Sequence, residues 1–599
     1  MAHREKLLRT TTAVTLVIIL SKAVGFLRET VVGGYFGTSM ESDAFQSAYS
    51  VFYVPVLLLN SCITSTLVPM YVEARERKGA RRANRFGSNA INMLALFSLV
   101  IAALMFALSG PLVDLVYHGF SPEKVQLTAK LARIMLLTLM FNITSIAMSS
   151  LLNAGERYIS AQLTGFPLSL ALMLAAVVFS PGFGVEALAW GVFAANVLQT
   201  LVLIPTMRGW FRYTSALDLR DRRLRRLVTL AAPAMLSMAA NEISHLVDQS
   251  MASGVEGGIA AMSYAFKVIT LLSGVIIVPM TTIMFSRMSK LFAASDRGGV
   301  LYVVRQSTVL ISLVMMPIIA ISVVVGPDII KALFMHGAFT QESVSITSAV
   351  FIAYAVGMMG FGLRDLLNRV YHSMQDTRTT MYVAVAVVVA NIALNFVGRA
   401  LFGVPGLALA TSVTGTAGMF AMYWLLKRKF RHLGMRLILP DLLKILAGSL
   451  AAAAVCVALN HALPVSLTQF KAIIRLAIVG FAAVISYLLV VWMLKISAFG
   501  EFLNRRGTAN DGRGEADHHR LPGRRRGRAV AQAPGAYGVL RAGKAQKEPE
   551  RLHAGGNRKA RAAGSPAAVR PSGARKDDAR RDHRAGDGPQ HTHHKRPRH

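Results

Sequence analysis

Long apolar stretches separated by short polar segments alternate along the first 500 residues of the chain. Many stretches reach the roughly 20 residues that an α-helix needs to cross a bilayer. Runs of that length disfavour a soluble helical protein, and the short alternating segments of a membrane β-barrel are absent from the sequence. The pattern predicts an all-α polytopic membrane protein with about fourteen transmembrane helices. The predicted spans are 11–36, 44–72, 88–110, 126–152, 160–180, 185–206, 227–252, 259–286, 303–326, 344–370, 379–399, 404–427, 441–461 and 470–495.

The polar segments between these spans fall into two alternating sets that differ in charge. The basic set is clearest at 73–86, 207–226 and 427–436. The other set has almost no Lys or Arg and lies around Gly37, Gly182, Gly254 and Gly403. By the positive-inside rule, the basic segments are cytoplasmic. We therefore expect both termini in the cytoplasm.

The chain also repeats itself at an offset of about 219 residues. FGVEALAWG at 183–191 returns as FGVPGLALA at 402–410, and HGFSPE at 118–123 returns as HGAFTQE at 336–342. Each copy holds six spans, an even number, so the copies have the same orientation in the membrane. The repeat predicts two parallel six-helix lobes around a central cleft, an arrangement that transporters use. The predicted boundaries are 1–210 and 211–430 for the lobes, 431–500 for helices 13 and 14, and 501–599 for a tail.

Composition narrows the function further. Hydrophobic residues make up 53% of the chain and charged residues 16%, whereas soluble domains have about 25% charged residues. The net charge of +34 is divided between loops, membrane region and tail, so it does not indicate nucleic-acid binding. The sequence contains no phosphate-binding loop, catalytic triad or metal-ligand motif, and we expect no enzymatic activity. The basic tail is predicted to be disordered and to lie against anionic lipid, although out-of-frame translation of GC-rich DNA would give the same composition.

Several charged residues lie inside or beside predicted spans, where lipid exposure is costly. They are Lys22, Arg28 and Glu29 in span 1, Asp43 at the start of span 2, and Lys267 in span 8. We expect them to face the cleft between the lobes, where Arg28 and Lys267 together suit a phosphate group. Two structural alternatives stay open. Arg28 could pair with Asp43 or Glu29, and Lys22 could extend to the membrane interface.

Span 7 adds a second polar group. Glu242 and His245 are three positions apart and share one helical face. They would either carry a proton or form a hydrogen-bonded seam between helices.

Three segments resemble the MviN/MurJ family of lipid II flippases, which belongs to a superfamily with multidrug and polysaccharide exporters. They are SKAVGFLRETVVGGYFGTSMESDAF at 21–45, SGVIIVPMTTIMFSRMSK at 273–290 and QDTRTTM at 375–381. The resemblance covers roughly residues 5–500. It implies a flippase that carries undecaprenyl-pyrophosphate-linked peptidoglycan precursor, lipid II, across the cytoplasmic membrane by alternating access. Membrane lipids and cell-wall synthesis proteins are the expected partners besides this lipid-linked glycan.

The resemblance also implies roles for particular residues. Arg28, Asp43 and Lys267 match family positions that line the central cavity, and Lys267 stands where the family usually has Arg. A cavity arginine of the family's second span is missing here, near Leu59 and Asn60. The departure leaves another lipid-linked polysaccharide unit open as the cargo.

Some family members bind sodium in the second lobe, and this resemblance implies a candidate sodium site. Its residues would be Asp248, Asn391, Asn395 and Thr411, whose oxygen atoms suit a hard cation. Hydrogen bonding between buried helices is the structural alternative for the same four residues. We expect no other cofactor.

Three other functions compete with the flippase. An ion-coupled antiporter of small molecules would have a cavity centred on acidic residues. A membrane glycosyltransferase would need an acidic catalytic cluster, which the short outer loops lack. A non-transporting scaffold that recruits cell-wall enzymes would be favoured by loss of cavity residues such as the span 2 arginine.

Overall fold

The computed structural model describes residues 2–218, 239, 242–430, 434–463 and 468–495. Within these residues the regular structure is helical and contains no β-strand, as the sequence predicts. Most of the predicted span at 227–252 and the whole predicted tail at 501–599 lie outside the described residues.

The first nine helices form the group that we call the N-terminal bundle. They are α1 (Ala2–Phe36), α2 (Met40–Cys62), α3 (Val68–Val116), α4 (Pro122–Leu136), α5 (Leu139–Ala154), α6 (Tyr158–Gln162), α7 (Gly165–Leu174), α8 (Ser180–Phe183) and α9 (Glu186–Met207). Within this bundle α1 packs on α7, α2 on α4, α3 on α5, and α9 on both α5 and α7.

The next helices form the C-terminal bundle, and two more pack beside it. The bundle comprises α10 (242–252), α11 (Gly258–Ala293), α12 (Arg297–Phe334), α13 (Gln341–Ser373), α14 (Thr377–Phe402) and α15 (Val404–Phe430). The two additional helices are α16 (Leu439–Ala462) and α17 (Gln469–Met493). In the bundle α13 contacts α11, α12 and α15, while α16 and α17 both pack on α12.

Large hydrophobic side chains cover much of the outer surface of these helices, among them Phe106, Leu170, Trp190, Phe396 and Phe481. Apolar surface on this scale is typical of a protein in contact with lipid. Nine helices in the described residues are long and apolar enough to cross a membrane, or eleven when two bent pairs each count as one span. The molecule is therefore a multi-pass membrane protein. The three other predicted spans correspond to α1, α2 and 227–252, so the total of fourteen stays a prediction.

Polar contacts hold α16 and α17 in place. The Tyr487 hydroxyl of α17 donates to the Leu313 carbonyl of α12 at 2.5 Å. Arg475 of α17 is 9% exposed and donates to Asn460 Oδ1 of α16 at 2.5 Å, and its Nη1 lies 3.7 Å from Asp328 Oδ1 of α12. These contacts satisfy groups that would be costly to expose to lipid.

Candidate functional site between the two helical bundles

A cluster of charged side chains joins the two bundles at α1, α2 and α11. Glu29 of α1 accepts hydrogen bonds from its neighbour Arg28, with Nε at 3.1 Å, and from Lys267 of α11 at 2.6 Å. Lys267 also donates to Gln46 Oε1 of α2 at 3.3 Å. The exposed fractions of the side chains are 18% for Arg28, 9% for Glu29 and 33% for Lys267. The cluster is thus half-buried, carries one net positive charge and spans the bundle interface.

The structure shows the partners of the predicted cationic pair, and its contact with a phosphate group stays a prediction. Arg28 and Lys267 both approach the interface, but the Glu29 carboxylate lies between them. Of the two partners left open for Arg28, the structure shows Glu29. The side chain of Lys22, two helical turns earlier on α1, is exposed and lies close to Gly274 of α11. Lys22 therefore borders the same α1–α11 interface.

Asp43 is buried in a polar contact between the two bundles, and its predicted role in lining the cavity stays a prediction. Its side chain is 0% exposed, and it accepts a hydrogen bond from buried Lys124 of α4 at 2.7 Å. It also accepts from the backbone N–H groups of Gly257 and Ala260, each at 2.8 Å. Those groups belong to the N-terminus of α11, where unpaired donors and the helix dipole favour a negative charge. Asp43 thus links the two bundles here, and each of its carboxylate oxygens already accepts a hydrogen bond.

Other contacts join the bundles at the same end of the molecule, which we call the closed end. They are Thr38 to Ser343 at 2.8 Å, Ser42 to Tyr264 at 3.3 Å, Ala338 N to Gly34 O at 2.7 Å, and Gly119 N to Ser253 Oγ at 3.0 Å. The backbones of the two bundles approach closely at this end. A Cβ atom added to Gly119 would lie only 2.5 Å from the backbone nitrogen of Gly254. The loops that are poor in Lys and Arg therefore meet across the interface.

A second polar cluster lies inside the C-terminal bundle. Asp248 of α10, 2% exposed, accepts hydrogen bonds from Asn395 Nδ2 of α14 at 2.5 Å and Thr411 Oγ1 of α15 at 3.2 Å. Asn391 Nδ2 donates to Thr411 at 3.1 Å, and Ser244 Oγ donates to Asn391 Oδ1 at 2.9 Å. The fold thus brings together all four residues of the candidate sodium site. Within the described residues, Asn395 Oδ1 is buried and has no hydrogen-bond partner.

Of the pair predicted on span 7, His245 packs edge-on against Phe266 of α11, with ring centroids 5.1 Å apart. Glu242 is partly exposed on the first described turn of α10. Proton carriage by these two residues stays a prediction.

The QDTRTTM segment has a structural role at the start of α14. Asp376 is the N-cap of α14, accepts hydrogen bonds from Thr379 and forms an ion pair with Lys429 of α15. Burial opposes ionisation of this carboxyl, but the hydrogen bonds from Lys429 and Thr379 outweigh it and lower the pKa of Asp376 to about 2. The carboxylate therefore stays charged at physiological pH and ties the α13–α14 turn to the end of α15.

Sequence reasoning missed Gln46 and Tyr264, which bond to the opposite bundle, and Lys124, which pairs with Asp43 inside the N-terminal bundle. Lys124 follows the N-cap Ser121 of α4 and looks like an ordinary surface lysine in the sequence. Its partner Asp43 is 81 residues away, and only the fold brings the two together. The one sequence feature that could have drawn attention to Lys124 is its position directly after HGFSPE, a segment of the internal repeat.

The family model for lipid II flippase MurJ matches residues 32–479. A probable lipid II flippase MurJ from Rhizobium tropici is 27% identical over 428 residues, covering 68% of this chain and 79% of the relative. The corresponding relative from Vibrio cholerae is 24% identical over 434 residues, covering 70% and 82%.

Two solved structures share the fold. The structure of lipid II flippase MurJ in an inward closed conformation has a TM-score of 0.67 at 23% identity, covering 80% of this chain and 98% of that one. An inward-facing multidrug resistance transporter of the MATE family has a TM-score of 0.62 at 13% identity, covering 71% and 98%. At these identities the likeness establishes the arrangement of helices.

Proposed function

The chain belongs to the lipid II flippase MurJ family, and from this membership we propose that it moves lipid II across the cytoplasmic membrane. The family and the many apolar helices make it a membrane transport protein with a lipid-linked cargo. In the proposal both termini and the basic loops face the cytoplasm, and the closed end faces outward. The orientation rests on the charge difference between the two sets of loops.

The observation that carries the proposal is the Arg28–Glu29–Lys267 cluster at the bundle interface. Two cations share one carboxylate, so the cluster has a positive charge left for a pyrophosphate. Bonds from ammonium and guanidinium groups to phosphate are short and about twice as strong as neutral hydrogen bonds. The incoming pyrophosphate takes the place of the Glu29 carboxylate as a partner of Lys267.

Exchange of partners at Lys267 gives the cargo a way to drive the conformational cycle. Lys267 and Glu29 belong to different bundles, so their ion pair holds α1 and α11 together. Pyrophosphate binding removes that connection and leaves the Gln249–Ser50 hydrogen bond and the contacts of the closed end between the bundles. Opening of the closed end then requires separation of Asp43 from the α11 N-terminus, which exposes the cargo to the other side.

Expression of the full chain in a bacterium depleted of its own lipid II flippase is expected to restore growth. The measurement is colony formation after depletion, with membrane abundance of the protein determined in parallel. Absence of growth despite normal abundance would contradict lipid II as the cargo. It would favour another lipid-linked polysaccharide unit as the cargo. The missing cavity arginine of the family's second span, near Asn60 in this chain, is consistent with such a change of cargo.

We also propose that the Asp248 cluster binds a sodium ion. One carboxylate, two amide groups and one hydroxyl meet there, and the Asn395 Oδ1 is buried without a partner in the described part of the chain. Oxygen donors of these kinds suit a hard monovalent cation. A bound sodium ion compensates the negative charge of the buried Asp248 carboxylate and connects α10 with α14 and α15.

Sodium is expected to raise the melting temperature of the purified protein by several degrees, because a ligand that binds only the folded state stabilises it. Potassium at equal concentration should give a much smaller rise, and Asp248→Asn should abolish the sodium effect. Asp365→Asn is the matched control, since Asp365 is a more exposed carboxylate on α13. An equal rise in sodium and potassium, or an undiminished rise in Asp248→Asn, would overturn the sodium site.

A further inference from the structure

The N-terminal bundle contains a pocket of about 380 Å³, and its lining includes none of the three charged residues of the cluster. Its walls come from α2, the helical turn Ile63–Leu67 that follows it, α5, α7 and α9, and from the residue before α7. Its polar lining includes the amides of Asn60, Asn142, Asn196 and Gln199 and several serine and threonine hydroxyls. None of the described residues that line it carries a charge. A pocket of this size lies at the lower end of the range of about 300–1,000 Å³ for small-molecule sites.

A stripe along α2 connects this pocket to the charged cluster. Gln46 accepts the hydrogen bond from Lys267, while Tyr49, Tyr53 and Asn60 of the same helix line the pocket. These positions recur at intervals of three, four and seven residues, so they share one helical face. At a rise of about 1.5 Å per residue, the pocket begins about 5 Å along α2 from Gln46. A group attached directly to a pyrophosphate at Lys267 would therefore lie at the mouth of the pocket.

The polar wall of the pocket is held in place and has a hydrogen-bonding atom to spare. Asn196 of α9 is 1% exposed, accepts from Asn142 Nδ2 at 2.7 Å and donates to Thr138 at 2.9 Å. The Oδ1 of Asn142 is buried without a partner among the described residues. An unpaired buried acceptor costs roughly 1–3 kcal/mol, and a ligand donor would relieve that cost.

The side chains of the pocket fit a sugar ring. Amides and hydroxyls pair with hydroxyl and acylamino groups, and the stacked rings of Tyr49 and Tyr53, 5.8 Å apart, offer an apolar face. A phosphate or a peptide carboxylate would be buried there without a cation, which is costly. A hydrocarbon tail would leave the amides unpaired.

We propose that this pocket binds the neutral sugar attached directly to the pyrophosphate of the lipid-linked cargo. The inference rests on the proposed flippase function and adds the part of the cargo that sets specificity. The cations at the interface hold the pyrophosphate of any such lipid, and the pocket distinguishes a glycosylated lipid from a bare one.

The test compares binding of two lipids, lipid II and undecaprenyl pyrophosphate without a sugar, to the full-length protein in detergent. Asn60→Leu and Gln199→Met keep side-chain volume and remove amide groups from the pocket. Each variant is expected to weaken lipid II binding by about tenfold, the effect of one or two lost hydrogen bonds, and to leave the sugar-free lipid unchanged. Asn368→Leu on α13 is the matched control, because it removes an amide from a helix of the other bundle that does not line the pocket, and it should change neither affinity.

The outcomes separate this inference from the function on which it rests. Unchanged lipid II binding in both pocket variants overturns the sugar site and leaves the flippase proposal intact. Equal weakening of binding for both lipids also overturns the sugar site, since the pocket would then not distinguish a lipid with a sugar from one without. Failure of the unmodified protein to bind either lipid contradicts the flippase proposal itself. Melting temperatures close to that of the unmodified protein confirm that the variants are folded.

Discussion

Replacing Arg28 and Lys267 together by alanine is expected to reduce lipid II translocation on the order of 100-fold. Each charge-assisted hydrogen bond to the pyrophosphate contributes about 1.5–3 kcal/mol, and 1.4 kcal/mol corresponds to a factor of ten. The two cations approach the bundle interface from opposite sides, and together they are the positive part of the cluster. The measurement is the rate at which lipid II becomes accessible on the far side of reconstituted vesicles.

Two variants separate loss of charge from loss of structure. Glu29 is 9% exposed, so removing both cations would leave a buried carboxylate without its partners. Adding Glu29→Gln to the double variant removes that penalty, and we expect folding to recover while transport stays low. Lys267→Arg keeps the charge and should retain transport within a few fold. Normal transport by the double variant would show that the cluster does not hold the cargo.

Replacing Asp43 by alanine is expected to destabilise the closed end by about 3–5 kcal/mol, the cost of breaking a buried ion pair. The change leaves Lys124, whose side chain is 7% exposed, without its carboxylate, and it leaves two backbone N–H groups of α11 unpaired. A penalty of that size exceeds the differences that usually separate two conformations of one protein, which amount to a few kcal/mol. The variant should therefore populate a state in which this end is open.

Distances between spin labels at Glu123→Cys and Glu256→Cys measure this change, since both positions are exposed and lie on different bundles at the closed end. The native Cys62 and Cys456 are buried and should react little with the label. Asp43→Ala should shift the distribution to longer distances. Lys130→Ala is the matched control on α4, because it breaks an exposed ion pair with Glu186 and should change nothing. An unchanged distribution in Asp43→Ala would rule out a latch at this carboxylate.

Most helices could be predicted because the periodicity of membrane spans is simple. The predicted span 404–427 corresponds to α15 at Val404–Phe430, and 441–461 corresponds to α16 at Leu439–Ala462. The ends of the helices were harder to predict where a polar segment is itself helical. The basic segment at 73–86 belongs to α3, which runs from Val68 to Val116 with a break in helical geometry at Gly79. Ala, Arg and Glu are good helix formers, so a charged loop and a helical extension look alike in the sequence.

The site was predictable in its residue types and only partly in its contacts. Lipid penalises charge, so Arg28, Glu29 and Lys267 had to lie inside the protein, and they do. The sequence did not determine which partner each would choose. Glu29 follows Arg28 directly and also reaches Lys267, whereas Asp43 turns to α4 and to the start of α11, 81 and more than 200 residues away. Such pairings depend on the packing of the two bundles, which spacing along the chain does not encode.

Transport of lipid II by the purified full-length protein in vesicles is the most direct test of the central claim. Lipid II is placed in one leaflet, and its arrival in the other is followed by cleavage with an enzyme that cannot cross the membrane. The account predicts transfer well above that of protein-free vesicles, and near-background transfer for the variant lacking Arg28 and Lys267. Transfer by the unmodified protein at the rate of empty vesicles would contradict the account.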